Sequence, residues 1–103
     1  MKLTKIETVI VRRTFDTKDG REVELIIGAP LPFPDDSDYY CPFQVNGLGD
    51  ERIYYAGGVD SYQALILALK KITVHMITLP EVARGEVTWL DGSEPDLGLL
   101  STP

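Results

Sequence analysis

One cysteine, Cys41, and one histidine, His75, are too few for most of the chemistry that cysteine and histidine carry. A disulfide needs a second thiol, and a thiolate or imidazole metal site needs three or four such ligands. Asp36-Ser37-Asp38 lacks the glycine and the distal glutamate that complete a calcium loop. No apolar run approaches the roughly 20 residues of a membrane span. Lys2 and Lys5 sit among alternating rather than continuous apolar residues, so Met1 to Val11 reads as a strand and not as a signal peptide. Basic residues are scarce too. Ten Lys and Arg stand against 16 Asp and Glu, and the net charge of -6 opposes binding to phosphate backbones. The expectation is a cytoplasmic chain with no nucleic acid, no membrane, no metal and no cofactor, and the lone thiol agrees with a reducing compartment.

What is present suffices for a core. With 44% hydrophobic residues in a chain of 103, one domain over 1–103 is expected. Its organising stretch is Gly57 to Leu79. Asp60, with Gln63 three residues on, forms a capping box before a helix at about 60–78. Tyr62, Leu65, Leu69, Ile72 and Met76 recur at steps of three and four, flanked by Ile66 and Ala68, and draw one apolar stripe. Pro80 stops the run. His75 falls on the side away from that stripe, where a solvated ring is expected. No carboxylate one turn away is placed to orient it for catalysis.

The first half of the chain reads as strands at about 5–15, 22–28, 39–45 and 52–56. Lys18-Asp19-Gly20 lies between the first two. A bulged loop with Gly20 left-handed puts Val23 opposite Phe15 and Ile27 opposite Val11, keeping like residues on like faces. It leaves Ile6, Ile10 and Ile26 on the other face, with Arg12 near Glu24. Pro30, Pro32 and Pro34 forbid regular pairing, so an extended connection follows. Pro42 within the third strand is tolerable if its missing donor faces an edge or a bulge. Cys41 alternates with Phe43 and Val45 and therefore points into the core as a small apolar residue. Phe43 and Val45 are expected to share a face with Ile53 and Tyr55. Segment 86–103 reads as a short strand and a tail, docked where Leu97, Leu99 and Leu100 find a surface. The whole is α+β: an antiparallel four-stranded meander with one long helix across one face.

The residues Cys41-Pro42-Phe43-Gln44, Gly47-Leu48-Gly49-Asp50, Gly58-Val59-Asp60 with Gln63-Ala64-Leu65, and Thr88-Trp89-Leu90 resemble a family of short bacterial proteins catalogued as a domain of unknown function. The resemblance spans Lys5 to Leu99. It implies a bacterial source and a compact domain, and it carries no activity.

Two functional classes remain. The first is a noncatalytic protein-interaction domain, of the immunity or antitoxin kind. Its acidic loop residues Asp35, Asp36 and Asp38 and its tyrosines Tyr39, Tyr40 and Tyr54 would meet a basic protein partner. The plainer reading of those acids is a solvated surface that keeps a small protein soluble. The second class is a small-molecule-binding domain or small enzyme with a cleft between the Pro30–Asp38 loop and the helix N-terminus. Apolar residues left over after the core is assigned, Ile6, Ile10 and Ile26 on the sheet and Leu67 and Val74 on the helix, predict a two-fold homodimer. The cap gives the first test. Asp60→Ala should cost on the order of 1 kcal/mol and lower the unfolding midpoint in a thermal melt, whereas an unchanged midpoint would place the helix start elsewhere.

Overall fold

The first hairpin turns at Gly20, whose φ of 87° lies in the region that residues with a Cβ rarely adopt. In the computed structural model, which describes residues 1–35, 37–92 and 96–100, β1 (Val9–Thr17) pairs antiparallel with β2 (Glu22–Gly28). Phe15 lies opposite Val23 and Val11 opposite Ile27, as the faces require. Arg12 meets Glu24 at 2.9 Å on the other side. The strand starts at Val9 rather than near Lys5, because the register slips between Val9 and Val11. The chain before it leaves the ladder, and Ile6 comes to lie over Gly28. A Cβ on that glycine would stand 2.6 Å from Ile6 Cγ2 and 2.7 Å from the Pro42 ring.

Pro42 sits where the ladder breaks. β4 (Tyr39–Asn46) pairs with β2 from Glu24↔Asn46 to Ile27↔Phe43, a register whose next pair would be Gly28 with Pro42. That pair cannot form its second hydrogen bond, since proline has no N–H. The Cys41 thiol donates to Gly28 O instead, at 3.4 Å. Beyond the break the short β3 (Leu31–Pro32) continues along β4 in a shifted register, with Leu31 opposite Tyr40. On its other side β4 pairs with β5 (Ile53–Gly58). The sheet therefore runs β5-β4-β2-β1, with β3 on the line of β2 and β6 (Val87–Thr88) beyond β1. Among the described residues it has six strands, not four. Of the two short strands, β6 lies where segment 86–103 was expected to open with one, and β3 pairs through Pro32 where only an extended connection was expected.

The expected face of β5 is corrected. Phe43 is opposite Tyr54, so Tyr54 and Ala56 face the helix while Ile53 and Tyr55 turn outward. The loop 47–52, with Gly47 and Gly49 at φ 108° and 95°, sets this parity. Alternation alone left it open, because either choice puts apolar residues inside.

Asp60 caps α1 (Ser61–Thr78), its carboxylate accepting from Gln63 N at 2.8 Å while Gln63 Oε1 accepts from Val59 N at 2.8 Å. The buried face runs through Ala64, Ala68, Ile72, Thr73 and Met76, so Ile72 and Met76 of the expected stripe are inside while Tyr62, Leu65 and Leu69 give way to the alanines. Tyr62 is 72% exposed. Alanines win because they let the helix approach the sheet closely, and the sheet fills the space with Phe15 and Phe43, both wholly buried. Leu65 and Leu69 fall to the flank. Pro80 then opens a short second helix, α2 (Pro80–Ala83), at its first position, where the missing N–H is harmless.

Helix α1 covers β4 and β5, and the tail lies over part of the other half of that face, leaving Val11 43% exposed beside a groove of about 450 Å³. Arg13 Nη1 donates to Leu97 O at 2.9 Å, Thr73 Oγ1 donates to Leu100 O at 2.6 Å, and Leu97 and Leu99 pack on the core. Gly98 lies on Trp89, where a Cβ would approach the ring to 2.2 Å. The same ring carries the Arg13 guanidinium at 4.1 Å. In urea titrations Ile72→Ala should cost about 2 to 5 kcal/mol, the range for a core truncation, and Leu69→Ala clearly less. Equal losses would restore the leucine stripe to the centre of the interface.

Candidate interaction surface

The residues singled out in the sequence do not converge on one patch. Asp35 accepts from Ser37 N at 3.1 Å and Ser37 Oγ at 2.8 Å, which holds its carboxyl below the ordinary value. Asp38 is exposed in the same loop, and Asp36 and Glu94 lie outside the described residues. Tyr40 joins Phe33 and Tyr55 in an aromatic cluster on the outer face of the sheet, with ring centroids 5.3 to 6.0 Å apart. Tyr39 packs against the core. Tyr54 is on the opposite face, stacked on Phe43 at 5.8 Å. Phe33 stands beside Gly57, within 3.5 Å of where a Cβ would be, so it occupies the space between the Pro30–Asp38 loop and the end of β5.

Many of the acidic side chains serve their own turns. Asp19 accepts from Arg21 N at 3.2 Å, Glu51 from Gly47 N at 3.1 Å, and Asp96 from Gly98 N at 2.8 Å. These are the local side-chain-to-backbone bonds that place aspartate in loops. Asp50 is the fullest case. Its carboxylate accepts from Arg52 N, Nε and Nη2 at 3.0 to 3.1 Å and from the Tyr54 hydroxyl at 2.8 Å. The Arg52 bonds first, and then Tyr54, hold it far below the usual carboxylate range. The Tyr54 phenol, committed as a donor to that carboxylate, is pushed up. His75 is not solvated as expected but lies half-buried against Tyr54 at 4.7 Å and Phe43 at 5.9 Å. Burial lowers its pKa, against the opposing pull of Asp50. Cys41, expected inside, is wholly buried, and burial pushes its thiol up to about 11.

The outer face offers less apolar surface than expected. Ile26 is 9% exposed and Ile6 half-buried, while Ile10 at the bulge is 47% exposed. The helix flank above β5 is open, with Leu67 at 38% and Val74 at 49% exposure. Here the backbone matters as much as the side chains. Pro42 turns its donorless nitrogen toward the β2–β3 break, so β4 at that residue presents no hydrogen-bonding groups to β5. Tyr55, opposite Pro42, must therefore point its N–H and C=O away from the sheet, and by alternation so do Ile53 and Gly57. Lys71 confirms the direction, its ammonium donating to Tyr55 O at 2.8 Å. Between the edge and the helix runs a groove of about 530 Å³, lined by Ile53, Tyr55, Ala56, Gly57, Leu67 and Lys71. Helix α1 carries Lys70 and Lys71 and not one carboxylate, in a chain of net charge -6. That imbalance is a second signal, beside the left-over Leu67 and Val74, by which the sequence points to this flank.

Among the described residues no group of three His, Cys, Asp or Glu gathers as a metal site, and no helix is long and apolar enough to cross a membrane. Residues 11–100 match the family described as Domain of unknown function (DUF6968). No curated protein and no solved structure matches the chain.

The lowered pKa of His75 gives a signed prediction. Between the ordinary histidine value of 6.5 and the lower folded value, the unfolded chain binds more protons than the folded one. Stability is thus fully present above 6.5 and falls as pH drops into that window. The carboxylates with lowered values act only below their unfolded values of 3.8 and 4.5. Unfolding midpoints just below pH 6.5 should therefore slope with pH in the native chain and flatten in His75→Gln. An equal slope in both would show that the ring is solvated.

Proposed function

The chain belongs to the DUF6968 family, a domain of unknown function, and on that premise we propose that it is a noncatalytic protein-interaction domain. The observation that carries this reading is the β5–α1 flank, where a strand edge unpaired among the described residues, exposed Leu67 and Val74 and two lysines adjoin a groove. Exposed apolar residues next to unpaired backbone mark a surface that a protein covers. The proposed contact lies on the helix side and away from the acidic loops, and of the apolar residues expected at a two-fold contact it takes Leu67 and Val74 rather than Ile6, Ile10 and Ile26. Asp50, Arg52 and Tyr54 satisfy one another at the end of the same strand and are read as its brace. A photo-crosslinking residue placed at Leu67 should give a discrete protein adduct in a lysate of the source cells, lost with Val74→Asp, while the same residue at Thr14 gives none. Adducts at Thr14 alone would move the interface to the other face of the sheet.

A further inference from the structure

We propose, resting on the reading above, that the β5 edge receives an extended acidic segment of a partner protein, which adds as a further strand and draws Lys71 from Tyr55 O onto its own carboxylate. The outward groups of Ile53, Tyr55 and Gly57 offer donors and acceptors at the two-residue spacing of a strand ladder. Among the described residues Tyr55 O is held by the Lys71 side chain, which a competing backbone N–H can replace. The groove of about 530 Å³ beside the edge is of a size to receive side chains from one face of such a strand. Leu67 and Lys71 line it on the helix side, an apolar side chain beside an ammonium.

Charge selects the occupant. Lys70 and Lys71 are the charged residues of α1, both are exposed, and no carboxylate of the helix offsets them. An approaching segment with Asp or Glu opposite Lys71 gains an ion pair at the moment it takes over the Tyr55 carbonyl. A second copy of this chain, pairing β5 with β5 about Tyr55, would instead bring two Lys71 ammoniums to the symmetry axis. Leu67 and Val74 would meet across that axis, seven residues apart and self-complementary, so self-pairing is the rival to be tested. A nucleic acid or an anionic membrane would use the lysines but not the strand edge.

The test pans a displayed library of random dodecapeptides on the full chain, then maps synthetic copies of the enriched peptides by amide NMR. Enriched peptides should carry Asp or Glu among alternating apolar residues and shift the Tyr55 and Gly57 amides. Their affinity should fall about fivefold in Lys71→Met, as for an exposed ion pair of roughly 1 kcal/mol, and should recover in Lys71→Arg. Peptides that map to β5 without acidic residues, or bind Lys71→Met equally well, overturn the inference and leave the proposed function standing. Peptides that map elsewhere on the molecule overturn this site, and the crosslink at Leu67 then decides separately whether the flank binds protein at all. A dimer mass in sedimentation equilibrium that Lys71→Met strengthens would assign the edge to a second copy instead.

Discussion

The missing N–H of Pro42 is the constraint on which the rest of the sheet depends. A proline inside a strand must aim its nitrogen where no partner waits, and here that place is the break between β2 and β3, opposite Gly28. Three consequences follow from this one atom. The Gly28 carbonyl takes the Cys41 thiol as its donor, which gives the buried cysteine a structural use. The absence of a side chain on Gly28 makes room for Ile6 and the proline ring, so the chain ahead of β1 folds onto the outer face. The alternation of β4 is fixed, and with it the direction of every peptide group in β5.

The helix side is built by a different rule, volume. Ala64 and Ala68 lie on the sheet because they are small, and Gly58 lies under the first turn of α1, where a Cβ would come within 2.4 Å of Ala64 N. The helix is thereby drawn toward β4 and β5. Over part of what it leaves open on β1 and β2 the tail lies docked, through carbonyls held by Arg13 and Thr73. Both arrangements place large side chains at the boundary: Leu65, Leu69 and Leu99 on one flank of the helix, Leu67 and Val74 on the other. The first flank is covered from within the chain.

Local chemistry was legible in the sequence, and relations between distant segments were not. The Asp60 cap and the first hairpin's register could be read because each is decided within a few residues, by a side-chain acceptor and by the matching of faces. The parity of β5 could not, since Ile53-Tyr55 and Tyr54-Ala56 are equally apolar and the choice lies in the loop at 47–52. The helix stripe is legible at Ile72 and Met76 and falls one residue off at Leu65 and Leu69, because counting apolar side chains favours leucines over the alanines that close approach selects. The acidic residues suggested a patch, but several of them are spent on turns. The helix side of the candidate flank is legible as the left-over Leu67 and Val74, whereas its strand edge is not, because that feature is backbone, which has no letter of its own.

The direction of the β5 peptide groups carries the whole account of that flank, and amide hydrogen exchange resolved by residue measures it directly. Tyr54 and Ala56, which face β4, should exchange slowly. Tyr55 and Gly57, which face the groove, should exchange near the rate of unprotected amides. Protected Tyr55 with fast-exchanging Ala56 would reverse the parity and remove the free edge, and equal protection of all four would mean that the edge is already covered.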